Sequence, residues 1–407
     1  TPTSLIDTAS KVSLIENVNE RPWEPVAPGV KPYRQHEFVA GFDYQFRPGL
    51  AVEARYDRRR LDHVIEDASL SDVNWGETYT IVNPGEGVNA TIGSYATYLA
   101  SLGEAFGFPG WSFDSNAFGV CAGCPHNPKA IRNYDGLELR VTATPTKGLS
   151  GMFSYTYSSL WGNYPGLTTT DQTDGGVTGR NSPDTTRAFD EPFYYFGANG
   201  KSTDGPMPTD RPNVFKGDVY YQLPWKGHVT TFGLFQTAYQ GSPVSSYMDL
   251  TAASSSGPYE GTYIFGRDKW ANMTTDSSGN ITVGTPYERR TPWYTQSDLN
   301  IAQQIKVGEN KTVSFEVTAL NAFNQRAVTA YFGAMNSWNF ATALLPGPAN
   351  LASGAALYKE LESGYNVQTW INGNGNPDNK VVENSQYGHP YLFQLGRNIH
   401  FGLRYIF

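Results

Sequence analysis

The chain has 407 residues and is 14% aromatic, with 26 Tyr and 22 Phe against 5 Met, and it carries 42 Gly and 26 Pro that can punctuate many turns. A formal charge of −8 and the absence of any Lys/Arg cluster interleaved with aromatics exclude nucleic-acid binding. No apolar run of about 18 residues occurs, which excludes a membrane-crossing helix; the mean hydropathy of −0.44 does not exclude a membrane barrel, whose strands are apolar only at alternate positions.

The opening TPTSLIDTASKV has neither the charged nor the apolar part of a secretion signal, so any such signal has been removed or lies upstream. The first clear strand is FVAGFDYQF, with Phe38, Ala40, Phe42, Tyr44 and Phe46 on one face and Asp43 and Gln45 on the other. After Arg47-Pro48-Gly49, LAVEARYD continues with Leu50, Val52, Ala54 and Tyr56 opposed by Glu53, Arg55 and Asp57, which makes a hairpin. A second pair, GLELRVTA and LSGMFSYTYS, sets Leu137, Leu139, Val141, Phe153, Tyr155 and Tyr157 against Glu138, Arg140, Ser154 and Thr156. In the third pair, VFKGDVYYQL opposes Phe215, Val219 and Tyr221 to Lys216 and Asp218, whereas TTFGLFQTAY is apolar on both faces and its orientation stays open. The fourth pair is SDLNIAQQI and TVSFEVTAL, the latter opposing Phe315 and Val317 to Glu316. The terminal IHFGLRYIF, with Ile399, Phe401, Leu403, Tyr405 and Phe407 facing one way and His400, Gly402 and Arg404 the other, brings the count to about nine.

Connections inside each pair are about three to six residues long, and those between pairs roughly 50 to 80. Such strict alternation is the pattern of an outer-membrane barrel with short periplasmic turns and long extracellular loops, and a soluble sandwich has no reason to show it. The expectation is therefore an all-β, antiparallel transmembrane β-barrel. Residues 1–37 form an extracellular loop or upstream connection, and 38–407 carry the strands with long loops at about 58–135, 159–212, 240–294 and 325–396. With a periplasmic C-terminus the first strand runs downward, nothing in residues 1–34 reads as its upward predecessor, and single-chain barrels use even strand numbers. The chain is thus expected to be the C-terminal portion of a longer one. Two loop stretches, SYATYLASLGEAF and AALYKELESG ending at Gly364, have helical spacing.

Few residues point to chemistry. Cys121 and Cys124 in GVCAGCPHN lack the haem pattern, because Pro125 separates cysteine from His126; in a loop on an oxidising exterior they read as a local disulfide rather than a zinc site. Asp171, Asp174 and Asp184 lie among glycines without calcium-loop spacing and read as turn residues. No nucleophile-elbow, metalloprotease or phosphate-loop motif is present, so neither an enzyme nor a bound cofactor or metal is expected. Asp43, Glu53, Arg55, Glu138, Arg140, Lys216, Asp218, Glu316 and Arg404 would share one wall, and charge belongs on the lumen side because a basic residue facing lipid at mid-depth costs roughly 2 to 4 kcal/mol.

Several stretches, YDGLELRVTATPTKGLSGMFSYTYSSLWGNYPGL, DRPNVFKGDVYYQLPWKG, SDLNIAQQIKVGENKTVSFEVTALNAFNQ, YTIVNPGEG and GRNIHFGLRYIF, resemble the C-terminal barrel of Oar-like TonB-dependent receptors. The resemblance implies a barrel of about 22 strands filled by an N-terminal plug and driven by the TonB complex. It also gives Gly402, Tyr405 and Phe407 a role as the terminal signal read by the barrel assembly machinery. Plug and TonB-binding segment are not among these residues. The expected function is capture of an extracellular substrate by the long loops and its import through the plugged barrel, in the outer membrane and in contact with its lipid. The alternatives are a surface scaffold whose loops dock an extracellular protein partner, and a passive porin.

Overall fold

The computed structural model describes residues 29–69, 79–85, 128–166, 188–189, 196–250, 260–337, 362–373 and 380–407. Nine long strands dominate: β1 (Arg34–Arg47), β2 (Leu50–His63), β3 (Arg132–Thr146), β4 (Leu149–Gly162), β5 (Asn213–Trp225), β6 (His228–Tyr239), β7 (Tyr294–Lys306), β8 (Thr312–Leu320) and β9 (Asn398–Ile406). They lie side by side in chain order, every neighbouring pair antiparallel, and the two-residue strand Gly205–Pro206 adds to the end of β4. Among the described residues β1 and β9 are the two edges of this sheet. No described helix is long and apolar enough to cross a membrane.

All nine strands expected from alternation are present, several of them longer than their alternating part. β1 starts at Arg34 and β2 runs on to His63, although neither RQHE at the start of β1 nor RRRLDH at the end of β2 has a two-residue apolar period. What holds these extensions is backbone pairing plus charge: Glu37 faces Arg59 across the ladder, and Arg59 Nε donates to Glu37 Oε1 at 3.0 Å. The short links 48–49, 147–148, 226–227 and 307–311 lie at one end of the sheet, and the long ones 64–131, 163–212, 240–293 and 321–397 at the other. At 226–227 both residues have positive φ, Lys226 at 44° and Gly227 at 81°, the geometry of a two-residue hairpin turn matched to strand twist.

The long connections have their own packed core. Short antiparallel ladders pair Lys269–Trp270 with Tyr287–Glu288, Met273–Thr275 with Ile281–Val283, and Val328–Tyr331 with Pro390–Phe393. A one-turn helix at Val367–Ile371, capped by Asn366 accepting from the Thr369 amide at 3.0 Å, docks on them. Trp270, Ile281, Met335 and Ile371 are buried there. The expected helix ending at Gly364 falls largely outside the described residues, but residues 362–363 are helical and Gly364 has φ 82°. The expected helix within 94–106 lies outside them altogether, as do Cys121, Cys124 and the aspartates 171, 174 and 184.

The chain leaving β6 passes the approach to β7 so closely that a side chain has no room. A Cβ on Gly241 would sit 1.7 Å from the Thr291 carbonyl oxygen, while Thr291 N donates to Ser242 O at 2.9 Å and Ser242 N to Thr291 Oγ1 at 3.0 Å. Gly241→Ala is expected to destabilise the loop junction by about 1–3 kcal/mol, seen as a lower temperature for loss of the folded band on a semi-native gel. An unchanged transition would show that the backbone relaxes freely at this crossing.

Candidate functional site

Register decides what each face of the sheet carries. Tyr44 pairs with Val52, Val52 with Val141 and Val141 with Phe153; Val219 pairs with Leu234, Leu234 with Leu299, Leu299 with Ala319 and Ala319 with Ile399. Residues directly opposed in an antiparallel ladder share a face, so the apolar sides of all nine strands coincide. β6, ambiguous in sequence, is thereby settled: Phe232 and Leu234 lie on this apolar side, Val229 and Phe235 on the other. The apolar side is open, with Phe401 81% and Leu403 72% exposed. At the long-loop end it turns polar: Arg60 Nη2 donates to Asp135 Oδ2 at 2.5 Å and Tyr56 Oη to Asp135 Oδ1 at 2.7 Å.

The opposite face holds every charged residue singled out from sequence. Asp43, Glu53 and Arg140 form one cross-strand row that continues through Ser154 to Lys216. Arg55 and Glu138 face each other in the next row, Asp218 pairs with Met152 and Phe235, Glu316 with Gly402, and Arg404 with Ser314. Arg140 Nη2 bonds Glu53 Oε2, and Arg55 Nη2 lies 3.7 Å from Asp57 Oδ2. Glu316 Oε1 accepts from Asn300 Nδ2 at 2.7 Å. The five charges on β1 to β3 converge on one concavity of about 310 Å³ floored by Gly41, where a Cβ would meet the Ala54 carbonyl oxygen at 2.7 Å. Lys216 and Asp218 on β5, and Glu316 and Arg404 on β8 and β9, are not part of it. At the wall's long-loop end Tyr239 and Tyr294 stack with ring centroids 4.5 Å apart, and the Arg211 guanidinium lies 5.5 Å from the Tyr239 ring centre.

Above the sheet, two loops are tied by an ion pair between buried Asp210 and half-buried Arg290 that alternation could not reveal, because its partners are 80 residues apart. Asp210 accepts from Arg290 Nη2 at 2.6 Å and from the Leu160 amide at 2.8 Å, and Arg290 Nη1 also donates to the carbonyls of Asp210 and Gly241. Further out, Tyr387 stacks on Trp270 at 4.4 Å, and the Arg289 guanidinium sits 4.2 Å from the Trp270 ring centre and 4.4 Å from that of Tyr331. Tyr387 Oη donates to Ala271 O at 2.5 Å, and Ser246 Oγ accepts from the Ala271 amide at 3.0 Å. The loop end is thus a fixed surface, with the Tyr387 ring at the centre of its hydrogen bonding. Among the described residues no group of three or more His, Cys, Asp or Glu side chains could hold a metal ion.

An antiparallel meander with one continuous apolar face, one charged face and all long connections at one end is the wall architecture of membrane β-barrels. The comparisons sharpen the class. No family model matches the chain. It is 24% identical over 387 residues to the TonB-dependent transporter Oar of Myxococcus xanthus, which covers 94% of this chain and 29% of that protein. The resemblance to Oar-like TonB-dependent receptors expected from the quoted stretches is borne out along nearly the whole chain, and the chain spans under a third of the length of that relative. Solved structures it is similar to include the ferric enterobactin receptor of Pseudomonas aeruginosa in complex with enterobactin, at TM-score 0.29 and 10% identity over 73% of this chain and 29% of that one. A FadL homologue of the same organism gives TM-score 0.21 and 10% identity over 75% of this chain and 51% of that one. The Myxococcus xanthus relative is named a transporter.

Burial pushes the Tyr387 phenol up to about 12, with the Ser246 and Ala271 bonds pulling the other way, and pushes Tyr391 up to about 12 as well. A tyrosine kept neutral by burial contributes stability that is intact below its unfolded value near 10 and lost as pH rises towards the folded one. Tryptophan fluorescence of the loop end is therefore expected to change between about pH 10 and 12, and Tyr387→Phe, which has no phenol to ionise, should move that change upward. An unshifted midpoint would remove Tyr387 from the account.

Proposed function

We propose that this chain forms the C-terminal part of the barrel wall of a TonB-dependent outer-membrane receptor, with the long loops extracellular and the C-terminus periplasmic. The observation that carries the reading is the unbroken apolar face: nine strands in register leave Phe42, Leu139, Phe153, Val219, Phe401 and Leu403 exposed together, a surface whose natural solvent is lipid. The strands are 9 to 15 residues long, enough for the about 9–11 residues that a strand tilted near 45° needs to cross a bilayer. Aromatic residues also gather at both ends of this face, Trp161 and Trp293 at the long-loop end and Phe46, Trp225, Tyr405 and Phe407 at the other, as interfacial belts do.

On this reading residues 38–407 are barrel strands and outer loops, closed with strands encoded upstream into a barrel of about 22. The two charged rows, Asp43–Glu53–Arg140 and Arg55–Glu138, face an N-terminal plug, and Lys216, Asp218, Glu316 and Arg404 extend the wetted wall. Substrate is captured by the loop surface and imported with energy from the TonB complex. Gly402, Tyr405 and Phe407 are the terminal signal for the barrel assembly machinery, and Cys121 and Cys124 form a disulfide in an outer loop. A reading frame that encodes neither a plug nor a TonB-binding segment ahead of Thr1 would leave the passive pore or the partner-docking scaffold instead.

Charge placement tests the membrane assignment. Leu139→Arg, on the apolar face, should cost roughly 2–4 kcal/mol and lower the folded, membrane-inserted fraction, while Thr156→Arg on the charged face should cost under about 1 kcal/mol. Equal losses at the two positions would sink the assignment. Replacing Phe407 by Ala should reduce the amount of barrel reaching the outer membrane while leaving protein synthesis unchanged, as read by membrane fractionation.

A further inference from the structure

The segment that follows β8, Asn321-Ala322-Phe323-Asn324-Gln325, is a tight knot. Asn321 and Asn324 both adopt left-handed backbone, φ 50° and 52°, a conformation that non-glycine residues hold only when their surroundings insist on it. Asn321 is buried and supplies that insistence. Its amide donates to Asp298 Oδ1 at 2.7 Å, its Nδ2 to Gln325 O at 2.9 Å and to Leu395 O at 2.8 Å, and its Oδ1 accepts from the Gln325 amide at 2.7 Å. Asn324 Oδ1 accepts from the Arg397 amide at 3.1 Å. One asparagine thus fastens two segments far apart in sequence, and each segment leaves a large apolar side chain exposed, Phe323 at 68% and Leu395 at 85%. Rigid scaffolding around exposed hydrophobes is otherwise unexplained.

We propose that Phe323 and Leu395 form a lipid anchor, seated at the boundary between acyl chains and headgroups of the leaflet on the long-loop side. The proposal rests on the barrel reading above. Continuity favours lipid over a protein partner: Leu395 lies twelve residues before Phe407 and leads directly into the exposed series Ile399, Phe401, Leu403, Tyr405 and Phe407 of β9. Nine of the residues between them form β9, and a fully extended path of twelve residues at about 3.3 Å each, tilted about 45°, rises at most about 28 Å, against an apolar band about 25 Å tall. Trp161, an exposed aromatic on the same face, lies at the same count from the base of β4 at Leu149. The exposed Arg397, whose guanidinium reaches Ala322 O at 3.4 Å, places a cation where headgroup phosphates lie. A strand entry fixed this way sets the depth of the wall in the bilayer.

The test uses the full-length natural protein, with Cys121 and Cys124 replaced by serine, reconstituted into vesicles of phosphatidylcholine and phosphatidylglycerol. Spin labels are placed singly by Phe323→Cys, Leu395→Cys, Phe401→Cys and Thr156→Cys, and their relaxation by oxygen is compared with that by a water-soluble nickel chelate. Labels at 323 and 395 are expected to shift towards oxygen as 401 does, to a smaller degree. Nickel-accessible labels at 323 and 395 beside an oxygen-preferring 401 would overturn the anchor and leave the barrel standing. Labels at 323 and 395 shielded from both reagents would mean a protein cover and overturn it too. A nickel-accessible 401 would remove the barrel reading itself. Adding Asn321→Ala should shift the 323 label towards nickel while 401 stays unchanged; an unmoved 323 label would show that the knot does not hold the anchor.

Discussion

Everything in this structure depends on a register that does not slip by a single residue where the faces differ most. Side chains alternate with a period of two, so a one-residue shift between any two strands would carry Val219 or Phe401 to the charged side and Arg140 or Glu316 to the apolar one. The irregularities in the long ladders sit at their ends, between Arg34 and Gln35 and between Gln45 and Arg47 in β1, and between Ala143 and Thr146 in β3. Short turns pin the register of each hairpin. Between hairpins, where the connections are too long to pin anything, the match of apolar side to apolar side is what remains, helped by cross-strand pairs such as Tyr155 on Phe215 with ring centroids 4.6 Å apart.

The nine strands were legible because alternation is a local property that survives in a single sequence, and the charged wall was legible for the same reason. What alternation could not supply is lateral neighbourhood. That Arg140 meets Glu53 while Lys216 stands in the same row two strands away follows only from pairing. The orientation of β6 was hidden because Val229 and Phe235 on one face are as apolar as Phe232 and Leu234 on the other; its neighbours β5 and β7, each with a clean face, impose the answer. Strand extensions at Arg34–Glu37 and Arg58–His63 leave no alternation to read, because ion pairs across the ladder, Arg34 with Asp62 and Arg59 with Glu37, stand there in place of an apolar face.

The loop end was nearly illegible, and the reason is physical. Its strands are two to four residues long, below the length at which any period can be recognised, and its core is assembled from single residues, Met248, Trp270, Ile281, Met335 and Ile371, contributed by separate segments. The polar groups that fix it, Asp210 with Arg290 and Ser246 with Tyr387, are likewise far apart in the chain. Such a surface is held by the same logic as a small soluble domain: buried apolar side chains, with the polar groups among them paired. It stands beside a sheet that is held by the opposite logic, apolar side chains turned outward.

The alternation of short and long connections also divides the eight strand–strand junctions into two kinetic kinds. Each hairpin closes over only a few residues, whereas joining one hairpin to the next means bringing together chain ends separated by residues 64–131, 163–212, 240–293 or 321–397. The entropy of closing those longer loops exceeds that of the turns by about 2–3 kcal/mol each. Hairpins therefore form as local units, and the sheet grows by adding units rather than strands. Every second seam of the wall is consequently a late one, formed between prefabricated pieces and open to mispairing until the apolar faces meet a common solvent.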